Sequence, residues 1–262
     1  MTNNNVIAAY EKTRAFWKSK RTENEAGIDL ALDHFRILFA YHSGKIENDE
    51  INYHDTRDIF ENGRVAAFTG STRALFEQQN QKLCYDFLRQ KIAQREPLSI
   101  ALIREIHAIL TAGTYDERRF IVNNERPGEF KKHDYVVGKS EAGLPPVEVE
   151  PALAELIDEL NTYSGADLLK AAAYFHVRFE NIHPFADGNG RVGRTLLNYW
   201  LMTHQEPPVI IFEEDRKSYY AALERYDTDE AIGPMLDFLL EETVKTWAKA
   251  IERAGSAKQM LD

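Results

Sequence analysis

The stretch from His183 to Arg194, His-Pro-Phe-Ala-Asp-Gly-Asn-Gly-Arg-Val-Gly-Arg, constrains this chain more than any other. Upstream, Leu168, Leu169, Ala172, Ala173, Phe175, Phe179 and Ile182 recur at helical spacing. Downstream, Leu196, Leu197, Tyr199, Trp200 and Leu201 resume an apolar helical pattern. The interval therefore predicts a helix, a tight polar loop and a second helix. Pro184 closes the first helix, because its ring displaces an incoming turn and it has no N–H to donate. Gly188 and Gly190 are expected to turn the backbone through positive φ and to admit a ligand where a Cβ would stand. Their N–H groups, at the mouth of the second helix, would form a concave anion site helped by the helix dipole.

The side chains around that site point to one chemistry. Arg191 and Arg194 fall one helical turn apart and suit phosphate oxygens. Asp187 is a hard oxygen ligand of the kind Mg²⁺ takes beside nucleotide phosphates. Asn189 is expected to donate to a phosphate oxygen. His183, with an ordinary pKa of about 6.5, is the candidate general base. A phosphate cradle, a metal ligand and a base this close together suggest phosphoryl or nucleotidyl transfer. The plain alternative, a Gly-Asn-Gly turn solvated by charged residues, accounts for the glycines but not for the combination.

The same residues resemble the active-site motif of Fic-domain proteins, with every constrained position filled. The resemblance implies an all-α, mainly helical fold with a small β-hairpin flap near the active site. It implies that His183 deprotonates a hydroxyl of a target protein, which attacks the α-phosphate of ATP. AMP stays on the target and pyrophosphate leaves. It assigns the Mg²⁺ ligand to Asp187, the anion-hole backbone to Gly188, Asn189 and Gly190, and the phosphates to Asn189, Arg191 and Arg194.

Helical periodicity dominates the rest of the chain. Residues 6–20 form a modest amphipathic helix, and Ile28, Leu32, Phe35 and Phe39 make one buried helical stripe. That helix runs into Ser43 and Glu47, which share a face if it continues through Gly44. By composition this is an ordinary frayed helix end. The family adds another meaning: Ser43-x-x-x-Glu47-Asn48 matches its (Ser/Thr)-x-x-x-Glu-(Gly/Asn) inhibitory motif, placed as in the class whose inhibitory helix is N-terminal. Asp55 or Thr56 could cap the next helix. Ser71 would cap a longer one that runs through Leu75, Phe76, Leu83, Phe87, Leu88 and Ile92. Ser99 would cap one with Leu102, Ile103, Ile106 and Leu110 inside. His107 there reads as structural or solvent-facing.

Residues 118–144 break the pattern. Phe120-Ile121-Val122, Gly128-Glu129-Phe130 and Tyr135-Val136-Val137-Gly138 read as extended pieces. In the resemblance this is the flap, whose strand edge at Val136, Val137 and Gly138 would dock a target segment. Lys131-Lys132 departs from the family's usual Gly-x-Phe-Arg turn. Pro151 is expected at a first helical position. His176 reads as a core or capping residue and Asn198 as a neighbour of the site. Between 216 and 226 a helix presents Tyr219, Tyr220 and Leu223, and the family places an aromatic and an aliphatic there against adenine, here Tyr220 and Leu223.

Length and charge bound the alternatives. With 262 residues and 44% apolar content, the chain fits one large domain or one domain with an added helical lobe. The expected division is 1–70 for the N-terminal helical region, 71–250 for the core and 251–262 for a tail. A net charge of −10 argues against a broad nucleic-acid surface. No run suits a membrane span, and the N-terminus lacks the pattern of a signal peptide. With Cys84 as the single cysteine, the expected location is cytoplasmic. The reading is an auto-inhibited protein adenylyltransferase that uses ATP and Mg²⁺ on a Ser, Thr or Tyr hydroxyl of a target protein and on itself. Homo-oligomer formation stays open. So do three rivals: removal of AMP, transfer of another phosphate-bearing group, and a nucleotide-binding regulator without turnover.

Overall fold

The computed structural model of the chain describes residues 3–65, 68, 70–137, 140–141 and 143–259. Eleven α-helices are present among them. The first three are α1 (Asn3–Lys18), α2 (Glu25–Ala31) and α3 (Asp33–Glu47). The stripe from Ile28 to Phe39 is therefore shared by two helices, which break at Leu32 (φ −106°, ψ 10°). Leu32 is itself buried, so the break keeps the stripe facing inward. α3 does continue through Gly44, where a Cβ would collide with Gln78 and Ile51.

Side-chain caps fix the starts of the next helices. Asn52, rather than Asp55 or Thr56, caps α4 (Tyr53–Asn62), accepting from Asp55 N at 2.9 Å. Thr56 is instead buried, with its hydroxyl on Gln78 at 2.8 Å. Ser71 caps α5 (Thr72–Gln94), and Ser99 caps α6 (Ile100–Leu110). Of the apolar residues of α5, Phe76 and Leu83 are exposed. Glu77, Gln78, Asn80 and Gln81 are buried instead: Gln78 meets the Thr56 hydroxyl, Asn80 donates to Leu110 O and Ala112 O, and Glu77 lines the functional cleft described below.

The irregular segment contains less strand than its β-branched residues suggest. Arg118–Val122 is a π-helical turn, closed by Asn123 N on Arg118 O at 2.9 Å and started by Asp116 Oδ1 on Arg119 N at 2.7 Å. Phe120, Ile121 and Val122 point to solvent with no strand to pair with. Gly128–Phe130 lies in turns. Val136–Val137 (β1) pairs antiparallel with Ser140–Glu141 (β2), in the register Val136↔Glu141 and Val137↔Ser140. Gly138 lies outside the described residues.

α7 (Pro146–Asn161) starts five residues earlier than expected, capped by Pro145, so Pro151 is inside it. The ring is tolerated on the exposed face, near a helix start where few backbone bonds are lost. α8 (Leu168–Ile182) and α9 (Asn189–Thr203) pack side by side, and α9 is buried on nearly every side from Asn189 to Met202. A 3₁₀ turn (Glu213–Asp215), α10 (Arg216–Asp229) and α11 (Gly233–Gln259) complete the order.

One hydrophobic cluster runs from Tyr10 to Trp247. Trp247 of α11 meets Trp17 at 5.3 Å and stacks on Phe35 at 5.9 Å, which ties the N-terminal helices to the C-terminal one. Cys84 is buried in this core. Among the described residues, no helix is long and apolar enough to cross a membrane.

Candidate active site

The loop between α8 and α9 is fastened mainly by its own residues. His183 ends α8 in the left-handed region (φ 50°), with its N–H on Phe179 O at 3.0 Å. Asn189 then reaches back to Phe185: its Oδ1 accepts from Phe185 N at 2.9 Å and its Nδ2 donates to Phe185 O at 2.7 Å. Both ends of the amide are thereby engaged, so the Asn189 side chain clamps the loop. His107 of α6 supports the loop from below. Its ring stacks on Phe185 at 3.7 Å, its Nδ1 accepts from Gly128 N at 2.8 Å, and its Nε2 bonds Asp187 O at 3.0 Å. Burial pushes the His107 pKa down to about 3, which keeps the ring neutral for these two opposite roles. The solvent-facing alternative for His107 is thus excluded.

Gly188 has the expected positive φ (83°). Gly190 does not; it lies within α9, and its bareness has another cause. A Cβ there would collide with Glu47 Oε1 and come to 2.9 Å from Arg194 Nη1. The helix start is thus open to the carboxylate of α3.

That carboxylate is the main contact across the cleft. Arg194 Nη2 donates to Glu47 Oε1 at 2.8 Å and to Ser43 O at 2.8 Å, and its Nε donates to Ser43 Oγ at 3.0 Å. Ser43 and Glu47 therefore meet the same guanidinium, 147 residues away from Glu47 in sequence. Burial opposes the charge on Arg194, but Glu47, Tyr219 and Glu180 outweigh it and hold its pKa above the usual range. Arg194 Nη1 is buried with no hydrogen-bond partner among the described residues, a donor suited to an anion.

Arg191 turns the other way, with Nη1 3.3 Å from Glu77 Oε1 and Nη2 3.8 Å from Asp187 Oδ1. Asp187 also takes Gly188 N on Oδ1 at 2.8 Å and Arg73 Nη2 on Oδ2 at 2.8 Å. Burial would raise its pKa, but Arg191, Arg73 and Arg119 keep it low, so the carboxylate is charged.

His183 has the opposite balance. Burial, reinforced by the Lys131 charge, pushes it down to about 4, so its imidazole is neutral at neutral pH. It faces a segment fastened on both sides of it. Lys131 N bonds Pro184 O at 2.9 Å, and Leu144 N bonds Ile182 O at 3.1 Å. Gly143 (φ 77°) makes the second approach possible, because a Cβ there would collide with Ile182 O and His183 Cβ. β1 and β2 are thus carried on a loop whose two ends straddle His183.

These groups line one cleft of about 370 Å³, with Glu47 and Asn48 on one wall and residues 186–191 on the other. Tyr219, Tyr220 and Leu223 of α10 close one end. Tyr219 is buried with its hydroxyl on His176 Nε2 at 2.9 Å, so His176 is a core residue, while Tyr220 is partly exposed. Asn198 lies away from the cleft and pins Val209 with two bonds, at 2.7 and 2.8 Å.

Sequence reasoning missed Arg73, Glu77, Arg119 and Glu180, all of which line this cleft. Glu180 Oε1 has no hydrogen-bond partner, and burial pushes the carboxyl up to about 8, against the pull of Arg194. An Arg-x-x-x-Glu pair at 73 and 77, one helical turn apart on α5, was the available signal.

Chemically, the cleft offers backbone N–H groups at a helix start, several guanidiniums and a neutral imidazole, an arrangement that fits a polyphosphate and a proton acceptor. Among the described residues no cluster of three or more His, Cys, Asp or Glu could hold a metal alone. Asp187 by itself fits Mg²⁺, which commonly binds one or two carboxylates and completes its shell with substrate phosphates and water.

The profile of the Fic/DOC family matches residues 97–201. Protein adenylyltransferase fic-1 of Caenorhabditis briggsae is 33% identical over 194 residues, 71% of this chain and 36% of that protein. Protein adenylyltransferase Fic of Drosophila persimilis is 32% identical over 230 residues, 86% of this chain and 42% of that one. The chain thus spans well under half the length of these curated relatives. A Fic domain containing signaling protein from Bacteroides thetaiotaomicron superposes with a TM-score of 0.79 at 22% identity, covering 96% of this chain and 97% of the other. Fic-1 (residues 134–508) from Caenorhabditis elegans gives 0.74 at 25% identity, covering 99% and 73%.

Proposed function

We propose, on the premise that this chain belongs to the Fic/DOC family, that it is an auto-inhibited protein adenylyltransferase. The relatives named as protein adenylyltransferases support AMP as the transferred group. In this reading His183 accepts the proton of a target hydroxyl, and that oxygen attacks the α-phosphate of ATP as the bond to pyrophosphate breaks. Its low pKa supports the role, because the ring is a free base at neutral pH. Arg191, Arg194 and the N–H groups of residues 188–190 would hold the phosphates, and Tyr220 and Leu223 would flank the adenine. Asp187 would hold Mg²⁺, which supplies charge neutralisation at the phosphates. The edge of β1 would align the target segment, as the anchoring of its loop on either side of His183 suggests.

The observation that carries the inhibited state is the pairing of Arg194 with Glu47 and Ser43. The guanidinium that a γ-phosphate would need is engaged by a carboxylate that would also repel that phosphate. ATP labelled separately at the α and γ positions tests the reading. Protein-bound α label, stronger from Glu47→Gly, is the expected result. γ label would mean phosphate transfer. Absence of both from the parent and from Glu47→Gly would mean a binder without turnover.

A further inference from the structure

Asp187 does not present a bare carboxylate to the cleft. Arg73, on the first turn of α5 and 114 residues away in sequence, donates Nη2 to Asp187 Oδ2 at 2.8 Å. Its Nε donates to Glu77 Oε1 at 3.0 Å, so the planar guanidinium is fixed at two points. Glu77 is buried and held in turn by Arg191 Nη1 at 3.3 Å and by Asn48 Nδ2 at 2.9 Å. The other oxygen of Asp187 takes the Gly188 N–H and faces Arg191. Both carboxylate oxygens are therefore already in use.

A guanidinium and a dication on Oδ2 compete for the same negative charge and repel each other at contact distance, so each weakens the other's hold on the carboxylate. Arg73 has room to leave, since its side chain is 40% exposed and borders the cleft. We infer that Arg73 is an internal counter-cation of Asp187, displaced when a divalent ion takes that carboxylate, and that it sets how strongly nucleotide binding depends on the metal. The inference rests on the reading of Asp187 as the metal-binding group. Arg73 is a positioning residue here: it acts on the cation through Asp187 and needs no contact with the reacting atoms.

Calorimetric titration of the full chain with a non-hydrolysable ATP analogue tests it, once with Mg²⁺ and once with EDTA. The quantity read is the ratio of the two dissociation constants, which cancels any uniform loss of phosphate affinity. Arg73→Gln should raise this metal enhancement about ten-fold, the scale of one charge-assisted hydrogen bond. Arg119→Gln is the charge-matched control. Arg119 also faces Asp187, but its Nε donates to Ala186 O at 3.2 Å and it pairs with Asp116, so the ratio should stay near the parent's. An unchanged or smaller ratio for Arg73→Gln overturns the inference and makes Arg73 a phosphate ligand or a bystander. An equal rise in both variants overturns it too, since the cause is then the general field. Asp187→Ala separates the premise from the inference. Its ratio should fall to about one, and a ratio kept at the parent's value would remove Asp187 as the metal group.

Discussion

The 183–194 loop and the end of α3 face each other across one cleft, yet they are held in different ways. The loop is clamped internally by Asn189 on Phe185 and braced by His107, all through buried bonds. The end of α3 is held to α9 chiefly by one arginine, through Glu47 and Ser43, and the Glu47 side chain is still 35% exposed. Removing a loop clamp leaves buried backbone groups without partners. Removing Glu47 leaves a guanidinium that a phosphate can satisfy. The contrast separates a loop whose parts depend on one another from a contact whose loss strands no buried backbone group.

The largest expected effect falls on the loop side. His183→Ala should lower transfer about 10²–10⁴-fold, as loss of a general base does, while leaving nucleotide binding intact. Full transfer by a folded variant would end the assignment of the base. Asn189→Ala should come next. Stranding the buried N–H and C=O of Phe185 costs about 1–3 kcal/mol for each group, read as a lower urea midpoint together with lost activity. Unchanged stability would show that the loop does not depend on its clamp.

On the α3 side the sign reverses. A charge-assisted pair is worth about 1.5–3 kcal/mol, and a bias of that size leaves about 1–10% of molecules in a productive arrangement. Glu47→Gly should therefore raise transfer from α-labelled ATP about ten-fold, with Arg194→Ala in the same chain cancelling the gain. Equal or lower transfer would make Glu47 a catalytic group for AMP removal or a mere helix end. Ser43→Ala should raise the rate less, by about two- to three-fold, because the charge on Glu47 remains; a larger rise than with Glu47→Gly would invert the comparison. The smallest change is one of pH. With its pKa pushed down to about 4, His183 stays a free base as pH falls through 6.5, so the acid limb of kcat/KM should lie below the ordinary histidine range. A limb at 6.5 would mean that burial does not govern this ring.

Much of the site was legible because it is contiguous. The helix–loop–helix around residues 183–194, the left-handed Gly188 and the caps at Ser71 and Ser99 all follow from short-range spacing. The family motif also marked Ser43 and Glu47, and the structure brings both to Arg194. Where local reasoning failed, a distant partner decided the matter. Gly190 is bare because Glu47 approaches it, and Asn189 turns inward because Phe185 offers two backbone groups. The run Phe120-Ile121-Val122 has the residues of a strand, but among the described residues no strand pairs with it, and it lies in a π-helical segment where Asp116 Oδ1 accepts from Arg119 N. α5 inverts the usual pattern, burying Glu77 while exposing Leu83, because Glu77 meets Arg73, Arg191 and Asn48 at the cleft.

The amino-acid sequence by itself determined most of the helices and the helix–loop–helix around residues 183–194, since periodicity, caps and glycine positions act over a few residues. Only the tertiary structure decided which charges meet. Arg194 takes Glu47 and Arg73 takes Asp187 across separations of 147 and 114 residues. Ion pairing falls off steeply with distance and depends on burial, and both are set only once the helices have packed.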